Sequence, residues 1–229
     1  MKKNEVKSFL VIGLGRFGQA LCGRLVDLGQ RVVGVDKVRA HVEEMAERLD
    51  LAAQLDAADE EALVKVGARE ADVAVVAIGE GIEASVLATA ILRDLGVPLV
   101  VARAIDPLHA KVLQRVGAHR ILSPERDMGL SMAEQLVHPW MAQFTALHQT
   151  DFLVGEVSPL EEMTGRTLQD LRFTHRYQTM ILLVERGGTR FLPRADTVIL
   201  PTDRLWVAGR QEDLNRWLDG SSEEGSGRG

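Results

Sequence analysis

The sequence predicts a doubly wound, parallel α/β sheet followed by a smaller α+β domain, and three observations carry that reading. Up to residue 122, short β-rich apolar runs alternate with helical patterns at intervals of about 20 to 25 residues, the rhythm of βαβ units. The first run ends in Gly13-Leu14-Gly15-Arg16-Phe17-Gly18 and passes straight into a helical pattern. Beyond residue 150 the rhythm gives way to β-like runs separated by turn residues, Gly187-Gly188 among them.

Six strands are expected in the first region, at 9–12, 31–35, 51–55, 73–78, 99–102 and 120–122. Several are apolar on both faces, as strands buried in a parallel sheet must be. Helices are expected at 17–28, 40–49, 60–66, 82–95 and 108–116, where apolar positions recur at helical spacing. Gly29, Gly67, Gly96 and Gly117 each follow such a helix and read as its stop, because the residue past a helix end often turns left-handed. Residues 1–123 are therefore expected to form a Rossmann-type nucleotide-binding domain.

After Ser123-Pro124, an amphipathic stretch from 125 to about 149 places Leu130, Ala133, Leu136, Val137 and Trp140 on one face. Residues 124–150 are expected to be a crossover or linker helix. The β-like runs at 152–157, 180–185 and 205–208 assign 151–219 to the small α+β domain. The tail, 220–229, has no apolar residue to anchor it and is expected to be disordered.

Of 229 residues, 33 are acidic and 27 basic, and the basic ones form no run that would neutralise a row of phosphates, which argues against nucleic acid as a partner. The longest apolar stretches, at 73–78, 97–102 and 180–184, fall far short of the ~20 residues a bilayer-spanning helix needs. The N-terminal Met1-Lys2-Lys3-Asn4-Glu5-Val6-Lys7 leads into a glycine motif rather than a signal-peptide apolar region, so a cytoplasmic location is expected. The single cysteine, Cys22, excludes an intrachain disulfide, and its place inside the first helix suggests core packing.

The chemistry is concentrated at strand ends. Gly13, Gly15 and Gly18 sit where a tight turn lets backbone approach a pyrophosphate at a helix N-terminus. Asp36, 23 residues beyond Gly13 at the end of the second strand, is placed to accept hydrogen bonds from both ribose hydroxyls and disfavours a 2′-phosphate. Arg16 holds a fingerprint position often filled by a small residue, and a guanidinium there suits a terminal phosphate. Asp56 and Ala77-Ile78-Gly79 close the third and fourth strands at the same edge of the sheet. Glu125 follows Pro124 at a helix start, where the helix dipole alone would favour it. The six histidines, at 41, 109, 119, 138, 148 and 175, have no zinc-type spacing, and His109 is a general base only by location.

Taken in order, Val11-Ile12-Gly13-Leu14-Gly15-Arg16-Phe17-Gly18, Asp36-Lys37, Asp56-Ala57, Val76-Ala77-Ile78-Gly79, Ala102-Arg103-Ala104, His109, Val116-Gly117-Ala118 and Ser123-Pro124-Glu125-Arg126-Asp127-Met128-Gly129 resemble the RCK family. These are the regulators of potassium conductance of TrkA and KtrA type. The resemblance spans 8–218, with one N lobe and one C lobe as in KtrA rather than the duplicated lobes of TrkA. It implies that ATP, ADP or NAD(H) binds at Gly13, Gly15, Arg16, Asp36 and Asp56, beside Phe17, Gly18, Lys37, Ala57, Ala77, Ile78, Gly79, Arg103 and His109. It further implies a non-enzymatic homo-octameric ring at the inner face of the membrane, acting on a KtrB- or TrkH-like potassium channel subunit, with Glu125 as a ligand to Mg2+ or Ca2+ near the nucleotide at a subunit interface. Two departures stand out. Arg172 is followed by Phe-Thr-His-Arg-Tyr-Gln-Thr-Met without the Asn-Ile pair that accompanies cyclic di-AMP binding, and Arg103 stands where many relatives carry lysine. The competing reading, a small NAD-dependent oxidoreductase with residues after about 150 as its substrate lobe, lacks a convincing proton donor.

Overall fold

The computed structural model describes residues 6–147 and 150–219. Residues 1–5, His148, Gln149 and the tail from 220, which sequence reading expects to be disordered, lie outside the described residues. The chain divides into two units, 1–128 and 129–229.

In the first unit, β1 (Ser8–Ile12), β2 (Arg31–Asp36), β3 (Leu51–Gln54), β4 (Val73–Val76), β5 (Leu99–Arg103) and β6 (Arg120–Leu122) form a parallel sheet ordered β3-β2-β1-β4-β5-β6. Between them run α1 (Arg16–Asp27), α2 (Arg39–Met45), α3 (Glu60–Lys65), α4 (Ile82–Asp94) and α5 (Pro107–Arg115). Alternation along a strand sends neighbouring side chains to opposite faces. Leu10 and Ile12 pack with Leu63, Leu92 and Leu113 of α3, α4 and α5, whereas Val11 packs with Cys22, Val42 and Met45 of α1 and α2. Both faces are covered, so the central strands can be apolar throughout; each fully buried Leu or Val side chain contributes about 1.5–3 kcal/mol. Burial pushes the Cys22 thiol up to about 12. Gly29, Gly67, Gly96 and Gly117 end their helices at positive φ, as the sequence suggests.

Strand order reverses between β1 and β4, which opens a crevice at their carboxyl ends. Strand β4 stops at Val76, two residues short of the expected end. Ala77 N still donates to Ile12 O (2.7 Å), but Ile78 then yields to Gly13, where a Cβ would lie 2.9 Å from Ile78 N. Helix α2 also ends early, at Met45, because the amides of Arg48 and Leu49 both turn back to Met45 O and set Leu49 into the core.

The second unit is an antiparallel sheet, ordered β10-β9-β11-β8-β7. Its strands are β7 (Phe144–Ala146), β8 (Phe152–Val157), β9 (Thr179–Arg186), β10 (Thr189–Phe191) and β11 (Arg204–Arg210), of which the two edge strands β7 and β10 carry too few residues to announce themselves in sequence. Gly187 and Gly188, both at positive φ, make the two-residue turn between β9 and β10. Short helices α7 (Leu168–Leu171) and α8 (Phe173–Tyr177) and the terminal α9 (Gln211–Leu218) supply Leu171, Phe173, Leu214 and Trp217 to a core with Leu153, Val184, Leu205 and Val207.

The single long helix expected over 124–150 is not what forms. Helix α6 (Pro124–Val137) ends well short of residue 150, and none of its residues is buried. Residues 138–146 pack into the second unit instead, as a 3-10 turn over Pro139–Gln143 followed by edge strand β7. His138 Nδ1 lies 2.6 Å from Asp219 Oδ2, Trp140 Nε1 donates to Asp219 Oδ1 (3.1 Å), and Trp140 meets Phe144 edge-on at 4.9 Å. The Phe144 ring lies against the bare Cα of Gly155, so β7 closes on β8. Trp140 therefore points into a core rather than extending a helical stripe.

Candidate functional site

The crevice at the carboxyl edge of the first sheet is a cavity of about 500 Å³. Its floor is the turn between β1 and α1. A Cβ at Gly18 would lie 1.9 Å from Gly13 O, so this turn closes only with glycine at that position. Helix α1 starts at Arg16 with Gly15 as N-cap and no side-chain cap. The amide groups of its first turn thus face the cavity with the positive end of the helix dipole, an arrangement suited to an anion.

Asp36 stands across the turn from α1. Its Oδ2 accepts from Leu14 N (2.6 Å) and lies 3.2 Å from His41 Nδ1, while Oδ1 accepts from Val38 N (2.8 Å). The carboxylate is thereby oriented into the crevice with lone pairs left for hydroxyl donors. Asp56 follows β3, its Oδ1 taking Ala58 N (2.9 Å) in a local turn. Arg16 is at the cavity mouth and makes no ion pair among the described residues.

Most of the residues singled out by sequence meet here. Gly13, Gly15, Arg16, Phe17, Asp36, Lys37, Asp56, Ala57, Ala77, Ile78, Gly79, Arg103 and Glu125 all line the cavity. Two do not. Gly18 lies beneath the turn and acts through its missing Cβ. His109 is buried in α5, its amide donating to the capping carboxylate of Asp106 (2.7 Å) and its Nδ1 accepting weakly from Ile105 N (3.4 Å). Burial lowers its pKa against the opposing pull of Asp106, favouring the neutral ring, and its expected place at the nucleotide is corrected to one in the core.

The TrkA-N domain family matches residues 9–124, and the TrkA-C domain family matches 156–218. The chain is 37% identical over 212 residues to Ktr system potassium uptake protein C of Bacillus subtilis (strain 168), covering 92% of this chain and 96% of that one. This chain belongs to the Ktr and Trk potassium uptake protein family. Two Ktr system potassium uptake proteins A, from Vibrio alginolyticus and Bacillus subtilis (strain 168), are 35% and 32% identical over 93% and 95% of the chain. Among solved structures, the TrkA-N domain of the Escherichia coli inner membrane protein ybaL superposes on 58% of the chain with a TM-score of 0.52 and 25% identity. The GsuK channel bound to NAD superposes on 93% of this chain and 39% of its own, with a TM-score of 0.56 and 16% identity, a likeness of fold. The family resemblance read from sequence thus holds across both domains of this Ktr-family chain.

Within the Ktr-family site, His41, Val38, Leu55, Glu80 and Ala84 also line the cavity. His41 was legible only as one of six scattered histidines; it stands in the first turn of α2, just after the short β2–α2 connection that begins at Asp36, which brings the two side chains together. Glu125, expected by resemblance to be a divalent-cation ligand, is held instead by Arg103, whose Nη2 donates to Glu125 Oε1. Among the described residues no group of three His, Cys, Asp or Glu side chains is arranged to hold a metal ion. Within one chain the Glu125 carboxylate is thus already paired with a cation, the Arg103 guanidinium.

Proposed function

We propose that this chain is a nucleotide-binding regulatory subunit of a potassium-uptake system, which gates a membrane channel subunit through ligand-dependent changes in a homo-octameric ring. The observation that carries the proposal is the uncapped N-terminus of α1 facing Asp36 across a glycine turn, in a chain of the Ktr family. Phosphates would sit on the α1 amides and an adenosine ribose on Asp36. ATP and ADP are the preferred ligands of this reading, with Arg16 at the terminal phosphate, and NAD(H) shares the same adenosine seat. Among the described residues no helix is long and apolar enough to cross a membrane, so conductance would belong to a separate KtrB- or TrkH-like subunit, with this chain on its cytoplasmic side. Cyclic di-AMP is not part of the proposal, since Arg172 lacks the accompanying pair.

A gating ligand works by binding one ring conformation better than another, and by no more than that difference. It need not be consumed. The cavity supplies positioning groups, while the histidine that would have served as a base is enclosed in the core. The test is calorimetric titration of ATP, ADP and NADH into the purified chain, with phosphate release and NADH oxidation followed in parallel. Sub-millimolar binding of ATP and ADP without turnover is expected. Steady substrate-linked NADH oxidation would establish the oxidoreductase reading in its place.

A further inference from the structure

We infer that Arg103 is the built-in counter-ion of Glu125, occupying the position of a divalent cation, so that nucleotide binding at this site is independent of divalent cations. The inference rests on the nucleotide reading of the cavity and specifies how its phosphate end is neutralised.

The guanidinium is held from three sides. Its Nη2 donates to Glu125 Oε1 at the start of α6. Its Cζ lies 5.8 Å from the centroid of the Phe17 ring in the first turn of α1. Its Nη1 lies beside the backbone after β4, where a Cβ on Gly79 would come within 2.8 Å of it, so Gly79 leaves the space that the fork fills. The Arg103 side chain is only 15% exposed, against 65% for Glu125. The arginine is the anchored member of the pair and the glutamate the accessible one. Arg103 Nε is buried without an acceptor among the described residues, so Glu125 is the carboxylate that matches this charge.

Electrostatics then decides between guanidinium and metal. A cation binding to Glu125 would draw the carboxylate away from Arg103 and leave a half-enclosed guanidinium unpaired, or would sit beside that positive charge. Both are unfavourable at the Arg103 end, which is only 15% exposed, and are screened more at the exposed carboxylate. A divalent ion needs six or more oxygens, and with Glu125 already paired to Arg103 and no three-acid cluster among the described residues, this chain would leave nearly all of them to phosphate and water. Without Arg103, the Glu125 charge would face the phosphates of a bound nucleotide directly, and only then would a cation be needed between them.

The test is titration of ADP into the full-length parent, Arg103→Gln, Glu125→Gln and the double variant, each in EDTA and in millimolar Mg2+. Whatever Mg2+ does to ADP in solution is common to all four, so the differences between proteins are the readout, and thermal melts confirm that each is folded. The parent and Glu125→Gln are expected to show the same cation dependence. Arg103→Gln is expected to lose about tenfold in affinity in EDTA and to recover most of it with Mg2+, and the double variant to lose less and show no such recovery. A parent whose affinity rises with Mg2+ by about tenfold more than that of Glu125→Gln would overturn the inference, because Glu125 would then be a metal ligand despite Arg103. Equal losses in Arg103→Gln and the double variant would overturn it too. Failure of the folded parent to bind any nucleotide would instead remove the nucleotide reading itself.

Discussion

Asp36 combines two tasks in one carboxylate. It ties Leu14 and Val38 amides together beside the glycine turn, and it presents the acceptor that a ribose would use. Replacing it with alanine is therefore expected to weaken ATP, ADP and NADH alike by about tenfold or more, the loss of charge-assisted hydrogen bonds, and also to lower the melting temperature of the first unit. Asp36→Asn, which keeps an acceptor, should restore much of the melting temperature but not the affinity. Arg16 differs because it holds no ion pair among the described residues. Arg16→Ala should leave the melt unchanged and cost ATP about tenfold while costing ADP little, as a contact confined to the terminal phosphate requires. Calorimetry showing equal losses for the two nucleotides would remove Arg16 from the γ-phosphate.

At the level of elements, the second unit depends on one enclosed ion pair. Arg186, the last residue of strand β9, donates through Nε and Nη2 to both oxygens of Asp203 (2.8 Å each), and Leu200 N adds a third bond to Asp203 Oδ2 (2.9 Å). The same guanidinium bonds Val198 O (2.7 Å), so one fork closes the connection between β10 and β11. The bonds from Arg186 hold the Asp203 carboxyl below the usual carboxylate range, against the opposing effect of burial. A depressed folded value means that the unfolded chain takes up the proton first as pH falls. The pair's contribution is thus full above the ordinary carboxyl value of about 3.9 and disappears as pH drops through the lower folded one. Asp203→Asn is expected to cost about 1–2 kcal/mol at neutral pH, since the guanidinium left behind is partly solvated, and to flatten the acid limb of the unfolding curve. Thermal melts from neutral to acid pH measure both, and a variant that melts with the parent across that range would show the pair to be dispensable.

For the molecule as a whole, α6 is the feature that a single chain leaves unfinished. Leu130, Leu136 and Val137 are 55%, 75% and 70% exposed, although sequence periodicity places them on a packing face. An apolar stripe of this kind on a helix with no buried residue is stabilised once a second copy covers it, in keeping with a homo-oligomeric ring. Light scattering is expected to return an oligomer, most simply eight copies, and Leu136→Asp combined with Val137→Asp to yield smaller species with both units still folded. A parent that is monomeric at micromolar concentration would contradict the ring.

Short-range sterics and periodicity account for everything that was legible in the chain before folding. The alternation of strands and helices, the glycine stops at residues 29, 67, 96 and 117, and the glycine turn facing Asp36 obey local rules, because a missing Cβ or an apolar repeat acts within a few residues. Boundaries slipped where a distant partner set them. Gly13 ended β4 by its approach to Ile78, and Asp219, 81 residues beyond His138, held the segment leading into β7 against the second unit. The polar contacts within the chain were illegible for the same reason. Whether Glu125 meets a metal or an arginine, and whether His109 faces a ligand or a core, depends on which side chains the folded sheet brings within about 3 Å, and hydrogen bonds are decided at that range. Only the closed fold placed Arg103, 22 residues before Glu125, between that carboxylate and Phe17, since pairing across strands and helices leaves no periodic trace in the chain.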